Sequence, residues 1–377
     1  MCPFKKYPVL RPLLSPFRLS QQKTLALFIA SIAEVAGACS LQIASHLALQ
    51  VGIQLGSALN RFYRLLRNPR IDDRKLTSGL LQLLANPKQP LLIAIDWTKW
   101  HSPWQMLLAS VVLGCRAIPV HSKVTSNTLP EWSQNKEEDE FLRSLVFTLA
   151  EVGVVATFLC DRGFRRVSWI KLIKELKQHF VIRLIPDVMV YRRGDCRRLR
   201  HWHIGMGQAV DLGVVWLKEG RAVRTRVIGV WAYGQAEPWW LATDLLKEGL
   251  ADVVALYDRR MAIEQQIRDT KGCRFGVKLI WTQFQNPQYL SRLVLLIGVA
   301  LVLWTAVGQA VAEQNPKVRL PCKRKGPRLS LLRVGIRFLV RVSRRIHIGV
   351  KFIRTHLPPP GLRIFGWLQT TIKVQTS

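Results

Sequence analysis

The sequence predicts an α/β protein with a helical N-terminal domain, followed by a sheet core that a β-rich insertion interrupts. Residues from about 18 to 70 carry apolar side chains at helical spacing. Two short apolar runs, LLIAID and VVATFLCD, have the composition of buried strands, and both end in an aspartate. Short β-like runs separated by Gly and Asp turns fill the insertion, at about 181–238. We expect domains at 1–88 and 89–312, and a basic C-terminal region at 313–377.

The N-terminal domain is expected to contain several helices, in the segments QKTLALFIASIAEVAG, SLQIASHLALQ and SALNRFYRLLRN. Arg61, Arg64, Arg67 and Arg70 add a basic face to the last of them. Such a face can contact DNA, although an ordinary solvated helix face has the same spacing. The domain is therefore interpreted as a DNA-binding domain.

The core begins after Asn86-Pro87 with the strand that ends in Asp96. WQMLLASVVLG and RAIPVHSKV suit two further strands of a meander, and a helix is expected over 137–152. The second apolar strand ends in Asp161, and a helix should follow it over about 166–179. These elements bring both aspartates to the ends of core strands.

The chain after the insertion is expected to return to the core with the strand WWLATDL. One long helix should then run from about Leu246 to Thr270 and carry Glu264. The apolar segment 293–312 is long enough to cross a bilayer, but a helix buried between a sheet and its neighbours has the same composition. We expect burial beside the Glu264 helix and no membrane span.

The charge balance points to a polyanionic partner. The chain has 377 residues, with 56 Lys and Arg against 24 Asp and Glu, a net charge of +32 and an isoelectric point near 10.8. Beyond Glu313 there are 15 Lys and Arg and no acidic residue. Neutralising phosphates releases counterions, so such a surface favours nucleic acid, although ribosomal and membrane-surface proteins share this property.

The cysteines indicate a reduced, cytoplasmic protein. Seven of them are scattered through the chain without a CxxC pair, so we expect no structural zinc site. His201 and His203 on one β-like run lack a nearby third ligand and receive no role. No signal peptide is evident, and secretion is not expected.

Asp96 and Asp161 are candidate metal ligands. A carboxylate that leaves a sheet core is costly unless it is paired, solvated or bound to a cation, and ligands collect where strands end. Glu264 could complete an oxygen site for magnesium. Aspartates at strand ends are more commonly turn formers or surface ion-pair partners, so position alone leaves both readings open.

The helix that carries Glu264 has further polar residues in register. Tyr257, Arg260, Glu264 and Lys271 lie at offsets of 0, 3, 7 and 14, which places them on one stripe of a helix. Glu264 could bind the metal, Arg260 and Lys271 could clamp phosphates, and Tyr257 could stack or donate a hydrogen bond. The alternative is a surface helix stabilised by ion pairs.

These residues resemble a known family. The spacing Y-x2-R-x3-E-x6-K is similar to the YREK signature of DDE insertion-sequence transposases, family four of the bacterial insertion-sequence transposases. That family also shows D-x-T at its first aspartate and D-x-G-[FY] at its second, as in Asp96-Trp97-Thr98 and Asp161-Arg162-Gly163-Phe164. The resemblance covers residues from about 60 to 312.

The resemblance implies an RNase H-like catalytic core in which Asp96, Asp161 and Glu264 are catalytic and hold two Mg²⁺ ions, with Mn²⁺ as a substitute. It implies cut-and-paste transposition of an insertion sequence, by phosphodiester cleavage and strand transfer at terminal inverted repeats. The partners would be these repeats and target DNA, with a homodimer in the synaptic complex. A bacterial protein near the nucleoid is expected.

Two alternatives are compatible with the sequence. A catalytically inactive, DNA-binding descendant of such a transposase would keep the basic surface, but it would usually lose a carboxylate. A membrane protein anchored by 293–312 would leave the three motifs unexplained. Relatives also place an aromatic residue of the insertion near a flipped base, for which Trp202, Trp216 and Trp231 are candidates.

Overall fold

The structure is a computed structural model that describes residue 4 and residues 7–343, apart from several gaps. The gaps are 87–88, 101–102, 115, 129, 218–221, 320–329 and parts of 273–285. Much of the predicted basic C-terminal region, including everything from 344 onward, therefore lies outside the described residues. The predicted α/β class is confirmed as a large mixed sheet flanked by helices.

The N-terminal part of the chain is helical. Its helices are α1 (Leu10–Leu14), α2 (Leu19–Val35), α3 (Ser40–Val51), α4 (Leu55–Arg67) and α5 (Asp73–Leu84). Gly52 ends α3 with a φ of 72°, a left-handed conformation that favours glycine at a helix C-terminus. The three helices expected between about 18 and 70 are present as α2, α3 and α4. Arg61, Arg64 and Arg67 are exposed on α4, and Arg70 is exposed just after it.

Ten strands of the described chain form one sheet, in the order β3-β2-β1-β4-β5-β10-β9-β8-β6-β7. The strands are β1 (Leu91–Lys99), β2 (Trp104–Leu113), β3 (Arg116–Ser126), β4 (Ala156–Cys160), β5 (His179–Leu184), β6 (Met189–Arg192), β7 (Asp195–Arg198), β8 (Ala209–Leu217), β9 (Val223–Val230) and β10 (Trp239–Thr243). β1, β4 and β5 are parallel neighbours, and the other pairs are antiparallel. The expected meander is β1 to β3.

Helix α6 (Gln134–Val152) leads from β3 into β4, and α7 (Val167–Glu175) connects the parallel strands β4 and β5. The helix expected to reach residue 179 ends earlier, because Lys177 takes a φ of 55° and β5 begins at His179. The predicted start of the insertion at 181 therefore falls inside β5, which pairs with β4 in the core. The β-rich segment does not form a separate layer, since β10 joins it to β5 and continues the same sheet.

The long helix expected from Leu246 to Thr270 is two helices, α8 (Leu250–Asp258) and α9 (Met261–Lys271). At the junction the amide of Arg260 donates to the carbonyl of Tyr257, three residues back, at 2.8 Å. In a continuous helix Ala262 would lie about 180° around the axis from Val253, at roughly 100° per residue. The break allows both residues to be buried in the same core cluster against the sheet.

Helix α10 (Pro287–Gln314) contains the predicted apolar segment. Among the described residues it is the single helix that is long and apolar enough to span a membrane, and 89% of its most apolar window is buried. α2 and α3 would qualify only if taken together, although they are bent by 111°. Burial favours a core helix for α10. It packs on β3, α2 and α11 (Leu331–Ser343). Its buried residues belong to the core cluster on the face of the sheet opposite α8 and α9. The prediction that it lies beside the Glu264 helix is therefore wrong.

Candidate active site

Register in the parallel strands brings the two aspartates together. Ile95 of β1 pairs with Cys160 of β4, so Asp96 and Asp161 are the next residues of neighbouring strands. Side chains alternate between the faces of a sheet. Ala94 and Leu159, two positions earlier, belong to the core cluster under α8 and α9. Both carboxylates therefore lie at the carboxyl end of the strands, on the face that these helices cover.

Arg260 joins the first aspartate to the glutamate. Its guanidinium donates to Asp96 Oδ2 at 3.3 Å and to Glu264 Oε1 at 2.7 Å. Its side chain is 11% exposed, that of Asp96 is 19% exposed and that of Glu264 is 41% exposed. Arg260 lies at the break between α8 and α9, where it can reach β1. The structure thus places the predicted phosphate clamp between two predicted metal ligands.

Asp161 has a different local environment. Its Oδ1 accepts the amide of Gly163 at 2.8 Å, which forms the turn of the D-x-G-F motif. A Cβ on Gly163 would come within 3.0 Å of that oxygen, so glycine permits the close approach. Phe164 is buried and its ring packs 5.4 Å from that of Trp169. The motif anchors the end of β4 through Oδ1, so the turn does not use the other carboxylate oxygen.

The three carboxylates interact electrostatically. The pKa of Asp96 is raised to about 6, because burial and the nearby carboxylates of Asp161 and Glu264 outweigh the opposing effect of Arg260. A buried carboxyl group with two carboxylate neighbours is a place where a cation is strongly favoured. This is the property expected of a metal site or of the ion pair seen here.

Tyr257 lies in the core. Its side chain is 3% exposed, and its ring meets that of Trp239 edge to face at 5.3 Å. The guanidinium of Arg260 lies 6.0 Å from the ring centroid. Burial raises the pKa of Tyr257 to about 12, so the hydroxyl stays protonated. In this arrangement Tyr257 supports Arg260, and its predicted stacking on DNA is not available to a buried ring.

The side chain of Lys271, the last residue of α9, contacts the end of β1. Its ammonium donates to Thr98 Oγ1 at 2.7 Å and to the carbonyl of Lys99, and it lies 5.6 Å from the ring of Trp100. Burial lowers the pKa of Lys271. The lysine of the predicted stripe therefore meets the threonine of the D-x-T motif, on the strand that carries Asp96. The two motifs, more than 170 residues apart, form one side of the site.

Two supporting residues were missed by the sequence patterns. Glu138 of α6 is 1% exposed and accepts hydrogen bonds from Trp97 Nε1 at 2.9 Å and from Arg166 Nε at 3.2 Å. It thereby holds the residue next to Asp96. On the other side Glu237 pairs with Arg162 at 3.3 Å and with Arg183 at 2.7 Å. Neither glutamate has a motif around it, so sequence spacing offered no signal.

The candidate tryptophans of the insertion lie away from the carboxylates. Trp216 is 39% exposed on β8, which is four strands from β4. Trp202 is partly buried beneath the guanidinium groups of Arg192 and Arg197, and Trp231 donates to the carbonyl of Gln235. Another tryptophan, Trp239, contacts the site through Tyr257. A role at a flipped base remains a prediction for the three candidates.

The site fits a divalent cation. Among the described residues, no group of three or more His, Cys, Asp or Glu side chains is close enough to hold a metal ion as arranged. In this arrangement the Arg260 guanidinium, a positive group, bridges Asp96 and Glu264. Its Nε is buried without a hydrogen-bond partner. Carboxylate oxygens are the ligands that Mg²⁺ prefers, so the residues suit this metal once the guanidinium has turned away.

One family model matches the middle of the chain. Residues 131–286, less than half of the chain, match the family model described as Transposase DDE domain. The match includes Asp161 and Glu264 and begins after Asp96. No curated protein matches the chain significantly.

One solved structure to which the fold is similar is a piggyBac transposase in a synaptic complex with hairpin DNA, determined by cryo-EM. The likeness covers 99% of this chain and 82% of that chain, with 11% identity and a TM-score of 0.44. A likeness this distant carries no argument about function. The family match does: the protein contains a transposase DDE domain and is an enzyme of the DDE transposase class, which generally uses divalent metal ions.

Proposed function

We propose that this enzyme belongs to the YREK group and has an RNase H-like core. It would catalyse cut-and-paste transposition of an insertion sequence, by two-metal cleavage and strand transfer at terminal inverted repeats. The observation that carries the proposal is the convergence of Asp96, Asp161 and Glu264 on one end of the sheet, with Arg260 between the first and the last. Phosphoryl transfer depends on such positioning of charge around the phosphate.

Asp96, Asp161 and Glu264 would hold two Mg²⁺ ions, which Mn²⁺ could replace. Bound there, the metal would supply Lewis acidity, which would lower the pKa of an attacking water or 3′ hydroxyl and stabilise the leaving oxygen. The protein's own contribution is orientation. Thr98 and Lys271 hold the end of β1, and the Gly163 turn holds Asp161.

Arg260 would change partners when DNA arrives. A guanidinium binds phosphate oxygens in the same two-pronged way as carboxylates. A backbone phosphate at the end of the sheet would therefore compete with Asp96 and Glu264 for Arg260, and its arrival would release both carboxylates. Lys271 would neutralise a second phosphate from the β1 side.

DNA would be held by more than the catalytic end. The exposed arginines of α4 and the basic C-terminal region provide positive surface, and a net charge of +32 favours a polyanion. The partners would be the terminal inverted repeats and target DNA. Pairing two ends would need a homodimer, in a cytoplasmic protein associated with the bacterial nucleoid.

The proposal is tested by cleavage of a labelled duplex that carries the element's own terminal repeat. Magnesium-dependent nicking by the native protein should be abolished by Glu264→Gln, because the metal loses a charged ligand, while end binding remains. Glu151→Gln is the matched control, since Glu151 is exposed on α6 and its substitution removes the same charge. If the native protein binds the end and does not cut it with magnesium or manganese, the catalytically inactive descendant is the better account.

A further inference from the structure

A cavity of about 420 Å³ lies between β6, β8 and β9, outside the candidate active site. Its polar and aromatic lining comes from Tyr191, Arg192, Arg193, Asp211, Trp216 and Arg224. Its size lies within the range of ligand sites in proteins. Arginine beside an exposed aromatic ring is a combination that suits nucleic acid.

Cross-strand pairing shows which face of the sheet the cavity is on. Trp216 of β8 pairs with Arg224 of β9 and with Tyr191 of β6, so these side chains share a face. Arg226, two residues from Arg224, pairs with Thr243 of β10, which in turn pairs with Val181 of β5. Val181 belongs to the core cluster under α8 and α9. The cavity is therefore on the same face as the catalytic carboxylates.

The strand order also gives the distance between the cavity and the catalytic carboxylates. β8 is four strands from β4, and β6 is five. Neighbouring strands are about 4.8 Å apart, which corresponds to roughly 19–24 Å across the sheet. At about 3.4 Å per base pair, this is roughly six or seven base pairs of duplex. The cavity is thus too far away to touch the scissile phosphate, and one DNA duplex that reaches both places would pass over α8, which packs on the strands between them.

Two of the three arginines of the cavity, Arg193 and Arg224, are available to a ligand. The carboxylate of Asp211 already accepts two hydrogen bonds from Arg226, at 3.0 and 2.7 Å. In the described part of the chain, neither Arg193 nor Arg224 makes an ion pair, and both are exposed. Two positive groups without a carboxylate partner therefore line a concave surface. Phosphates are the complementary groups.

Backbone conformation adds an independent observation. Arg193 and Gly194 form the two-residue turn between β6 and β7, with φ values of 48° and 86°. Turns of this kind favour Asn-Gly, and a positive φ is strained for arginine. The hairpin therefore holds a strained arginine at the edge of the cavity, where an asparagine would fit the turn better. Strain of this kind is common at binding sites.

We propose that this cavity is a second contact for DNA, in which Arg193 and Arg224 bind backbone phosphates and Trp216 packs against the sugar edge. The DNA would be the flank of the duplex whose cleaved position lies at the carboxylates, roughly six or seven base pairs away. The inference rests on the proposed function for the position of the cleavage point. The contact itself is to the backbone, so it does not depend on the sequence of the duplex.

The test measures the salt dependence of binding to 30-base-pair duplexes, one with the terminal repeat and one of unrelated sequence, by fluorescence anisotropy. Replacing both arginines, Arg193→Gln with Arg224→Gln, should reduce the slope of log K against log salt by about 1.8, since each lost phosphate contact contributes about 0.9. The control, Arg143→Gln with Lys171→Gln, removes the same charge from exposed positions on α6 and α7. The buried residues of these two helices lie in the core cluster on the opposite face of the sheet from the cavity. Its slope should be unchanged.

Two further measurements separate the possible outcomes. A duplex that ends four base pairs on either side of the cleavage point should bind the double variant as tightly as the native protein. Trp216→Leu should weaken binding of the long duplex without changing the salt slope, because it removes contact area and no charge. Equal slopes for the double variant and the native protein, or an equal loss on the short duplex, would overturn the inference. Binding without cleavage would overturn only the proposed function, whereas failure of the native protein to bind any duplex would overturn both.

Discussion

Replacing Arg292 of α10 with methionine should strongly destabilise the protein, because this buried arginine connects α10 to the end of the arginine-bearing helix α4. Its side chain is 7% exposed. The guanidinium donates at 2.6–3.0 Å to the carboxylate of Asp73 and to the carbonyls of Leu65, Leu66, Asn68 and Ile71. The carbonyls of Leu65 and Leu66 belong to the last turn of α4, where carbonyls have no partner within the helix.

The magnitude follows from what remains after the substitution. Methionine retains the apolar stem of the arginine, but Asp73 and the four carbonyls lose the hydrogen bonds that the guanidinium donates. Removing one partner of a buried ion pair costs about 3–5 kcal/mol. We expect a loss of that size in the free energy of unfolding, measured by urea denaturation with circular dichroism. DNA affinity should fall as well, because the orientation of α4 depends on the same contacts.

Arg74→Met is the control, since the side chain of Arg74 is 55% exposed and its ion pair with Asp72 is long, at 3.5 Å. An exposed pair of this kind contributes at most about 1 kcal/mol. Combining Arg292→Met with Asp73→Asn should cost less than the sum of the two single changes. A loss below about 1 kcal/mol for Arg292→Met, or strict additivity with Asp73→Asn, would refute the reasoning.

Three further predictions concern the site and its support. Burial raises the pKa of Asp96 from 3.8 to about 6, so between these values the folded state holds a proton that the unfolded state has released. Without divalent ions, stability should therefore fall by up to about 3 kcal/mol as the pH rises through this window, and urea titrations of Asp96→Asn should lack the effect. A Cβ on Gly335 of α11 would lie 1.8 Å from the carbonyl oxygen of Trp304. Gly335→Ala should thus lower stability by about 1–3 kcal/mol in thermal melts, whereas Gly56→Ala, with no atom within 4 Å, should raise it slightly. Arg260→Met should lower the melting temperature of the metal-free protein and increase the rise in melting temperature that Mn²⁺ causes. A rise equal to that of the native protein would contradict the competition between Arg260 and the metal.

Much of the candidate site could be predicted from short stretches of sequence. Asp96 and Asp161 each end a run of buried residues, and the alternation of a strand then decides the face on which they lie. The turn after Asp161 also follows from local chemistry, since glycine two residues later permits the side chain to accept its amide. The pairing of these two strands as parallel neighbours could only be assumed.

The helix that carries Glu264 shows where sequence periodicity was insufficient. The spacing of Tyr257, Arg260, Glu264 and Lys271 assumed one straight helix, but the chain breaks after Arg259 to bury both halves against the sheet. Tyr257 consequently lies in the core and Arg260 bridges two carboxylates. Packing against the sheet overrides the helical repeat here, because burial of apolar surface outweighs a few backbone hydrogen bonds.

The sequence by itself determined the charge, the element types and the identity of the residues at the strand ends, because these depend on neighbours within a few positions. Only the tertiary structure decided that Arg260 lies between Asp96 and Glu264, that α10 covers the opposite face from α8 and α9, and that the β-rich segment extends the core sheet. Each of these depends on contacts between residues far apart in the chain. Local pattern carries no information about such pairings, since the strand order and the packing of helices are set by the burial of the whole core.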